Sequence, residues 1–374
     1  MISKPDLERV LSRRDGGKQV ISLFLDMTVN SDNKRTHQVF LQQKRSQFEE
    51  LASDREYHHV SDVGRAFEQI EEWLANEYSE ENRGAVLYAE LGGDWFEALQ
   101  FPVAVQNRMI IGARPAIGPL AQVIKSYHHH GVVLLDREHV RILSVYLGTL
   151  LDEIELRGDP IPTAHDVQAG GYSQSRFQRR KLEEMKHFFK EFSKEIDEFV
   201  RRYRPDDLII LGTEENLGRF REFLSQSAQD LVVHTGPMRV DEAPAEILAR
   251  LEPYLEAHRA KESQEKLTVL RERVGQDYMA TAGFNSTLAA LQEGRVDTLV
   301  IAQDQERAGS ECTQCGYVFA REVDTCPYDG SATIPGINVV EAAIRSATEQ
   351  GIEVEFVSAA ELKGVGGAGA LLRF

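Results

Sequence analysis

Residues 128–156 read HHHGVVLLDREHVRILSVYLGTLLDEIEL, in which three β-rich runs are separated by the short polar breaks DREH and LG. Such runs, joined by short turns, are typical of an antiparallel β-meander. Residues 176–204 contain no Gly or Pro, and their apolar residues recur close to every 3.6 positions, which predicts a long amphipathic helix. DDLIILGT at 206–213 predicts a buried strand, and ENLGRFREFLSQSA after it predicts a helix. This order predicts an α/β domain whose sheet is partly parallel.

The residues before this stretch predict a second α/β domain. QVISLFLDM at 19–27 is an apolar, β-rich run, and residues 33–51 are polar and helix-forming. A helix is predicted from Asp62 to Tyr78, where Phe67 and Ile70 are among the apolar repeats. GAVLYAEL, WFEALQF and RMIIGAR then predict successive strands.

The residues after it predict a third α/β segment. A charged, helix-prone connector from Ala243 leads into FNSTLAALQEGRVDTLVIAQD, read as helix then strand, with Asn285 and Ser286 supplying the helix cap. VVEAAIRSATEQG predicts a helix and IEVEFVS a strand, and the tail GVGGAGALLRF predicts a close-packed turn before a final strand. We therefore predict three α/β domains at 1–122, 123–258 and 259–374, the last with an insertion at 310–331.

Composition excludes several classes of protein. The 374 residues carry a formal net charge of −17 and are 42% hydrophobic, which suits a globular chain and argues against a generic polyanion binder. No apolar run approaches the roughly 20 residues of a membrane-spanning helix, and the start lacks the apolar core of an export signal. The three cysteines lie close together, which favours a metal clip in a reducing compartment over disulfides. We expect a cytoplasmic protein without membrane contact.

The segment between the meander and the long helix carries the most chemical information. Residues 168–181 read QAGGYSQSRFQRRK, in which Gly170 and Gly171 permit close approach to a partner and Ser173 can cap the following helix. From Gln174 to Arg204 there are ten Lys or Arg and six Asp or Glu, a local excess of positive charge. The cations at the start of this helix, expected to contact phosphates, are Arg176, Arg179, Arg180 and Lys181. By spacing alone, a flexible loop before an ordinary solvated helix is the simpler alternative.

These residues resemble the archaeal and eukaryotic class I peptide-chain release factor family, whose middle domain carries a Gly-Gly-Gln loop before a basic helix. The family loop reads Gly-Gly-Gln-Ser-x-x-Arg-Phe, and residues 170–177 keep the glycines, the first Ser and the Arg-Phe pair. The glutamine stands two places later, as Gln174, a spacing similar to that of a divergent branch related to the factor that frees chains from stalled large ribosomal subunits. FNSTLAALQEGRVDTLVIAQD and the ending GVGGAGALLRF also resemble the family's third domain.

The resemblance implies a fold and an activity. It implies an RNase H-like middle domain and a C-terminal domain similar to kink-turn-binding ribosomal proteins. It also implies hydrolysis of peptidyl-tRNA on the large ribosomal subunit, with Gly170, Gly171, Ser173 and Gln174 at the reacting ester and the basic residues on ribosomal RNA. A neutral glutamine is no general base, so its expected work is to orient water while a backbone N–H stabilises the oxyanion.

Other activities stay open at this point. The family reads stop codons with an Asn-Ile-Lys-Ser loop, which the nearest stretch, Asn30 to Arg35, lacks, so rescue of stalled ribosomes is favoured over ordinary termination. The divergent branch can also cut tRNA near its acceptor end, and other superfamily members are non-catalytic ribosome-binding adaptors. Whether a translational GTPase delivers the protein is open too.

A metal site is predicted from two short knuckles. Cys312-Thr-Gln-Cys315 and Cys326-Pro-Tyr-Asp329 have the spacing of a zinc ribbon, with Asp329 in the fourth ligand position. The site is either structural zinc or a degenerate ribbon that has kept its turns and lost the metal. The run from His128 to His130 is explained more simply as a strand entry than as ligands, and the glycine-rich tail lacks the Lys-Ser/Thr of a phosphate loop, so we expect no nucleotide site.

Overall fold

A computed structural model of the protein describes residues 9–13, 17–29, 35–53, 60–127, 129–157, 171–302 and 305–374. The chain is mixed α/β and divides into two compact units. The discontinuous unit comprises Met1–Ser126 and Arg259–Phe374, and the central unit comprises Tyr127–His258. The predicted division into three domains stays a prediction. None of the described helices combines the length and the apolar character that a bilayer crossing requires.

The N-terminal part of the discontinuous unit alternates strands and helices. Its elements are β1 (Val20–Asp26), α1 (Thr36–Ser53), α2 (Val60–Asn76), β2 (Gly84–Glu90), β3 (Phe96–Phe101), β4 (Arg108–Gly112) and α3 (Gly118–Ser126). The strands form an antiparallel sheet of order β3-β2-β1-β4.

Strand β1 lies at the centre of this sheet, and every residue before Asp26 is buried. This confirms the strand predicted at 19–27. Helix α2 buries Ala66, Phe67 and Ile70 against the same core, because residues three and four apart share a helix face. The predicted spacing of Phe67 and Ile70 is therefore confirmed.

The central unit contains the meander and the long helix. Its elements are β5 (His130–Leu135), β6 (His139–Tyr146), β7 (Thr149–Arg157), α4 (Gly171–Tyr203), β8 (Asp207–Gly212), α5 (Glu214–Phe220), α6 (Gln226–Asp230), β9 (Val232–Gly236) and the first part of α7 (Pro244–Gly275). The sheet order is β7-β6-β5-β8-β9, antiparallel from β5 to β7 and parallel from β5 to β9. The predicted meander and parallel part are both confirmed.

Helix α4 covers one face of this sheet with the apolar stripe that its sequence predicts. The buried members of the stripe are Met185, Phe189, Phe192, Ile196 and Phe199. Apolar residues of α7 lie in a second cluster with the opposite side chains of the strands. With both faces covered, the central strands read as near-continuous apolar runs.

One glycine permits the close packing of α4 on the sheet. A Cβ at Gly131 in β5 would lie 2.7 Å from Phe199 Cε1 and 2.4 Å from Leu208 Cδ2. Contacts under 3.0 Å force neighbouring atoms to move, so a larger residue here would separate the helix from the strands.

The helix predicted for ENLGRFREFLSQSA is interrupted. Helix α5 ends at Phe220, a 3₁₀ turn spans Arg221–Phe223, and the Ser225 side chain accepts the Ala228 N–H to begin α6. Serine is a strong N-cap, and it starts a new helix here rather than continuing the old one.

The C-terminal part of the discontinuous unit holds two small sheets. Its elements are the end of α7, β10 (Ala280–Ala282), α8 (Phe284–Gln292), β11 (Val296–Ile301), β12 (Ala308–Cys312), β13 (Val318–Phe319), β14 (Thr333–Asn338), α9 (Val339–Glu349), β15 (Glu353–Phe356) and β16 (Ala368–Leu372). The sheet orders are β10-β16-β11-β15 and β13-β12-β14. The predicted final helix and strands are present.

The N-terminus of α8 differs from the prediction. The residue before the helix is Gly283, with φ of +80° and no side-chain cap, so Asn285 and Ser286 lie inside the helix. Gly283 donates its N–H to the carbonyls of Val365 and Ala368 in the C-terminal tail. A tertiary contact with a left-handed glycine, rather than a local side chain, therefore sets the start of α8.

Two ionic side chains of α9, the half-buried Glu341 and the buried Arg345, join the two parts of the discontinuous unit. The Glu341 carboxylate accepts the N–H groups of Ile117 and Gly118, both at 3.0 Å, at the start of α3. The Arg345 guanidinium donates to the Pro115 carbonyl at 2.5 Å. These bonds satisfy backbone groups that would otherwise be buried without partners.

We expect the Glu341→Gln variant to lose less stability than the wild type as the pH rises above 4.5. Burial raises the pKa of Glu341 above its ordinary value of 4.5, against the opposing effect of the two N–H donors. The folded state then holds the proton more tightly than the unfolded chain does, so the free energy of unfolding falls as pH rises from 4.5 through the folded pKa. Denaturant unfolding of wild type and variant across this range measures the difference.

Glu322→Gln is the matched control, because Glu322 is exposed. It should leave the pH profile of the wild type unchanged. Parallel profiles for wild type and Glu341→Gln would contradict the assignment of the pH dependence to Glu341.

Candidate functional site

Helix α4 begins at Gly171, so the backbone of the predicted catalytic residue Gln174 is in its first turns. Gly170 lies outside the described residues, as do the side chains from Gly171 to Lys181. The predicted roles of Gly170, Gly171, Ser173 and Gln174 therefore stay predictions.

The predicted cap at Ser173 is wrong. The helix begins before Ser173, whereas an N-cap residue needs a non-helical backbone. The glutamine, arginine and lysine residues that follow are good helix formers, which extends the helix toward its N-terminus. The predicted RNA-contacting positions, all on helical backbone, are Arg176, Arg179, Arg180 and Lys181.

The rest of α4 is held firmly in the central unit. Ser193 Oγ donates to the Phe223 carbonyl at 2.6 Å, and the rings of Phe189 and Phe220 meet edge to face with centroids 5.2 Å apart. At the C-terminal end, the Tyr203 hydroxyl donates to the Asp152 carboxylate, a bond that raises the pKa of Tyr203. The helix is therefore a fixed support for whatever its N-terminal residues bind.

The described histidines of the run 128–130 have partners within the central unit. His129 Nε2 lies 2.8 Å from Ser144 Oγ, and His130 Nδ1 lies 2.6 Å from Asp207 Oδ1 in a buried pair. Burial lowers the pKa of His129. These contacts support the strand-entry interpretation, while His128 lies outside the described residues.

The two predicted knuckles bring their four ligand residues together. One ligand atom each from Cys312, Cys315, Cys326 and Asp329 lies within 4.8 Å of all the others. Cys315 Sγ is 3.8 Å from Cys326 Sγ, and Cys312 Sγ is 3.5 Å from Asp329 Oδ1. The sequence prediction of a four-residue cluster is confirmed.

These spacings fit a tetrahedral ion. Zinc bonds of about 2.3 Å to sulfur and about 2.0 Å to oxygen place two sulfurs about 3.8 Å apart, and a sulfur and an oxygen about 3.5 Å apart. The distances between Cys315 and Cys326, and between Cys312 and Asp329, agree with these values. These two of the six ligand-to-ligand distances therefore match tetrahedral zinc geometry.

Backbone N–H groups donate hydrogen bonds to a ligand sulfur in the first knuckle. The N–H groups of Gln314 and Cys315 each donate to Cys312 Sγ at 3.4 Å. Although burial opposes the effect, these bonds lower the pKa of Cys312 and so favour the thiolate that binds metal. Gly316 follows with φ of +70° and donates its N–H to the Cys312 carbonyl at 3.1 Å, which closes the turn.

The second knuckle repeats this geometry with a carboxylate. The Gly330 N–H donates to the Cys326 carbonyl at 2.9 Å, and Gly330 has φ of +75°. The Ser331 N–H donates to Asp329 Oδ1 at 2.9 Å and lowers the pKa of Asp329 to about 2. The sequence pattern Cys-x-x-(Cys/Asp)-Gly was therefore a signal for both turns.

An aromatic cluster beside the knuckles was missed in the sequence. The ring centroids of Tyr317 and Tyr328 are 4.6 Å apart, and those of Tyr317 and Phe319 are 4.9 Å apart. Gln292 of α8 accepts the Val318 N–H and donates to the Val318 carbonyl, so its amide pairs with the edge strand β13. The aromatic residues flanking each knuckle were the available sequence signal.

Two segments of the chain match known protein families. Residues 115–256 match the family described as Bacterial archaeo-eukaryotic release factor family 10, and residues 260–374 match eRF1 domain 3. Among curated proteins, none matches the chain.

Several solved structures are similar over most of their length. The archaeal translation termination factor aRF1 is 18% identical, with 100% of this chain and 99% of that chain covered and a TM-score of 0.28. Archaeal Pelota, from a ribosome-bound assembly with ABCE1, is 16% identical, with 78% of this chain and 77% of that chain covered and a TM-score of 0.41. Dom34 of S. cerevisiae, described as interacting with Hbs1, is 11% identical, with 75% of this chain and 73% of that chain covered and a TM-score of 0.37. At these TM-scores, the family assignment rests on the two sequence matches.

We expect Asp329→Ala to weaken zinc binding by roughly a hundredfold, because a tetrahedral site then loses one of its ligands. Asp329→Cys should instead tighten binding, since thiolate is the usual ligand of structural zinc. Competition with a chelating dye measures both affinities.

Asp324→Ala serves as the control, because Asp324 is an exposed acid between the two knuckles and outside the ligand group. It should bind zinc as the wild type does. Equal affinities for wild type, Asp329→Ala and Asp329→Cys would exclude Asp329 as a ligand.

Proposed function

Because this chain is a divergent member of the archaeal and eukaryotic release factor superfamily, we propose that it acts on the ribosome and hydrolyses peptidyl-tRNA to free nascent chains. The observation that carries the proposal is the segment 170–181, which joins a glycine pair, a glutamine and four cations within the matched region 115–256. Its proposed partners are the large ribosomal subunit, ribosomal RNA and peptidyl-tRNA.

The proposed chemistry is positional. The Gln174 amide is neutral and takes no proton from water, so its role is to orient the attacking water at the ester carbon. A backbone N–H beside the glycines stabilises the oxyanion that develops on the carbonyl oxygen. The anchored part of α4 supports this arrangement, because Phe189 and Phe199 bury the helix against the central sheet.

The charge distribution suits entry into an RNA environment. The net charge of −17 opposes indiscriminate RNA binding, whereas cations concentrate at the start of α4. We propose that Arg176, Arg179, Arg180 and Lys181 contact ribosomal RNA phosphates. Rescue of stalled ribosomes or large subunits is proposed over stop-codon termination, because the stretch from Asn30 to Arg35 lacks the family's decoding tetrapeptide.

We also propose that the four-residue cluster holds a structural zinc. The support is the donor set and its tetrahedral spacing, with Cys312 and Cys326 buried and two N–H bonds directed at Cys312. When bound, zinc would cross-link the two knuckles and stabilise the small sheet β13-β12-β14.

We expect Gln174→Ala to reduce peptide release by roughly a hundredfold, because the attacking water loses its orienting group. The measurement is release of labelled peptide from ribosomes and large subunits loaded with peptidyl-tRNA, with the 3′ end of the tRNA sequenced. Hydrolysis of the ester leaves the CCA end intact.

Gln178→Ala is the matched control, since it removes the same amide one turn further along the helix. A shortened tRNA end would replace the proposal with an endonuclease. Release that Gln174→Ala leaves unchanged would exclude Gln174 as the group that orients the attacking water. No release from either particle would leave a non-catalytic ribosome-binding adaptor.

We expect the double substitution Arg179→Ala and Arg180→Ala to weaken binding to the large subunit and to make it less sensitive to salt. Each lost phosphate contact should reduce the slope of log affinity against log salt concentration by about 1. Sedimentation binding at several salt concentrations measures this slope. An unchanged slope would show that these arginines do not contact phosphates.

A further inference from the structure

The small sheet β13-β12-β14 has little apolar core besides the metal ligands. Between Ala308 and Asn338, the buried hydrophobic side chains are those of Cys312, Ala320 and Cys326. A substructure this poor in buried apolar area gains stability from a metal or another cross-link. A change in the bonding of Cys312 or Cys326 would therefore disturb much of the buried core of this sheet.

The three sulfurs differ in their access to solvent. Cys315 is exposed, whereas Cys312 and Cys326 are buried. Cys315 Sγ lies 3.8 Å from Cys326 Sγ, so a second sulfur stands next to the exposed one. An accessible thiol beside a second thiol is the arrangement in which oxidation at the first is resolved by the second.

We propose that the metal centre is a peroxide-responsive switch, in which Cys315 and Cys326 form a disulfide and the zinc is released. The proposal rests on the zinc site proposed above and is independent of peptidyl-tRNA hydrolysis. The oxidant is a peroxide, which reaches the exposed Cys315 from solvent.

The chemistry takes two steps. In the first, the Cys315 thiolate sulfur attacks a peroxide oxygen, the O–O bond breaks, and the products are a sulfenic acid and hydroxide. In the second, the Cys326 thiolate attacks the Cys315 sulfur, the S–S bond forms, and hydroxide leaves and is protonated to water. Two thiolates lose two electrons in total, and one hydrogen peroxide becomes two hydroxides, each of which takes a proton from solvent to give two waters.

Loss of the metal follows from the ligand count. The disulfide removes two of the three thiolates, and Cys312 with Asp329 is too small a donor set to retain zinc. The knuckle turn between Cys326 and Ser331 then loses its support, while the sheet β10-β16-β11-β15 keeps its own buried residues, such as Leu299 and Val300. The change is therefore confined to residues 308–338.

The test treats the zinc-loaded full chain with hydrogen peroxide and follows zinc with a colorimetric chelator. The chain has three cysteines, so the number of free thiols should fall from three to one as zinc is released. Peptide mass mapping should find Cys315 linked to Cys326, and limited proteolysis should become faster within 308–338. Dithiothreitol with added zinc should restore the starting state.

Cys315→His is the informative variant, because a histidine nitrogen can still bind zinc but cannot form a disulfide. Its zinc release by peroxide should be at least about tenfold slower than that of the wild type. Zinc release without a Cys315–Cys326 disulfide, or a disulfide that leaves zinc bound, would overturn the switch. A wild-type protein without zinc before peroxide addition would overturn both the switch and the zinc proposal, whereas failure of the peptide-release assay would affect hydrolysis alone.

Discussion

Burial of the aromatic stripe of α4 against the central sheet is the interaction on which the proposed site depends. Phe189, Phe192 and Phe199 are almost completely buried, and each contributes roughly 1.5–3 kcal/mol through the apolar surface that it removes from water. Gly131 permits this contact, because a side chain there would meet Phe199. Because the C-terminal half of α4 is fixed in this way, its N-terminal turns extend from a rigid support. A glutamine that acts only by orienting water needs such a support.

The discontinuous unit depends on a different kind of constraint, namely charged side chains that satisfy backbone groups or each other. Glu341 binds the N–H groups at the start of α3 across a sequence separation of 224 residues. On the same unit, Lys266 Nζ lies 2.6 Å from Glu353 Oε1, and Lys125 Nζ lies 2.5 Å from the same atom. Although burial opposes the effect, these two lysines lower the pKa of Glu353 to about 2.

The metal cluster combines local and non-local support. Each knuckle is a short turn closed by its own glycine, so the sequence spacing alone positions the ligands within a knuckle. Bringing the knuckles together requires pairing of β12 with β13 and β14, and contact with α8 through Gln292. Two of the three buried apolar side chains in this sheet are those of the ligands Cys312 and Cys326. The order of the small sheet is therefore linked to the chemistry of Cys315 and Cys326.

The sequence by itself determined the strands at 19–27 and 206–213, the apolar stripe from Met185 to Phe199 and the four-residue ligand set, because periodicity, turn residues and knuckle spacing are local properties. It also carried the family resemblance that residues 115–256 and 260–374 confirm. Only the tertiary structure decided that the first and last parts of the chain form one unit, and that Gly283 rather than Asn285 precedes α8. These features depend on contacts such as that between Gly283 and Val365. Such contacts join residues that are far apart in the chain, so they leave no local pattern in the sequence.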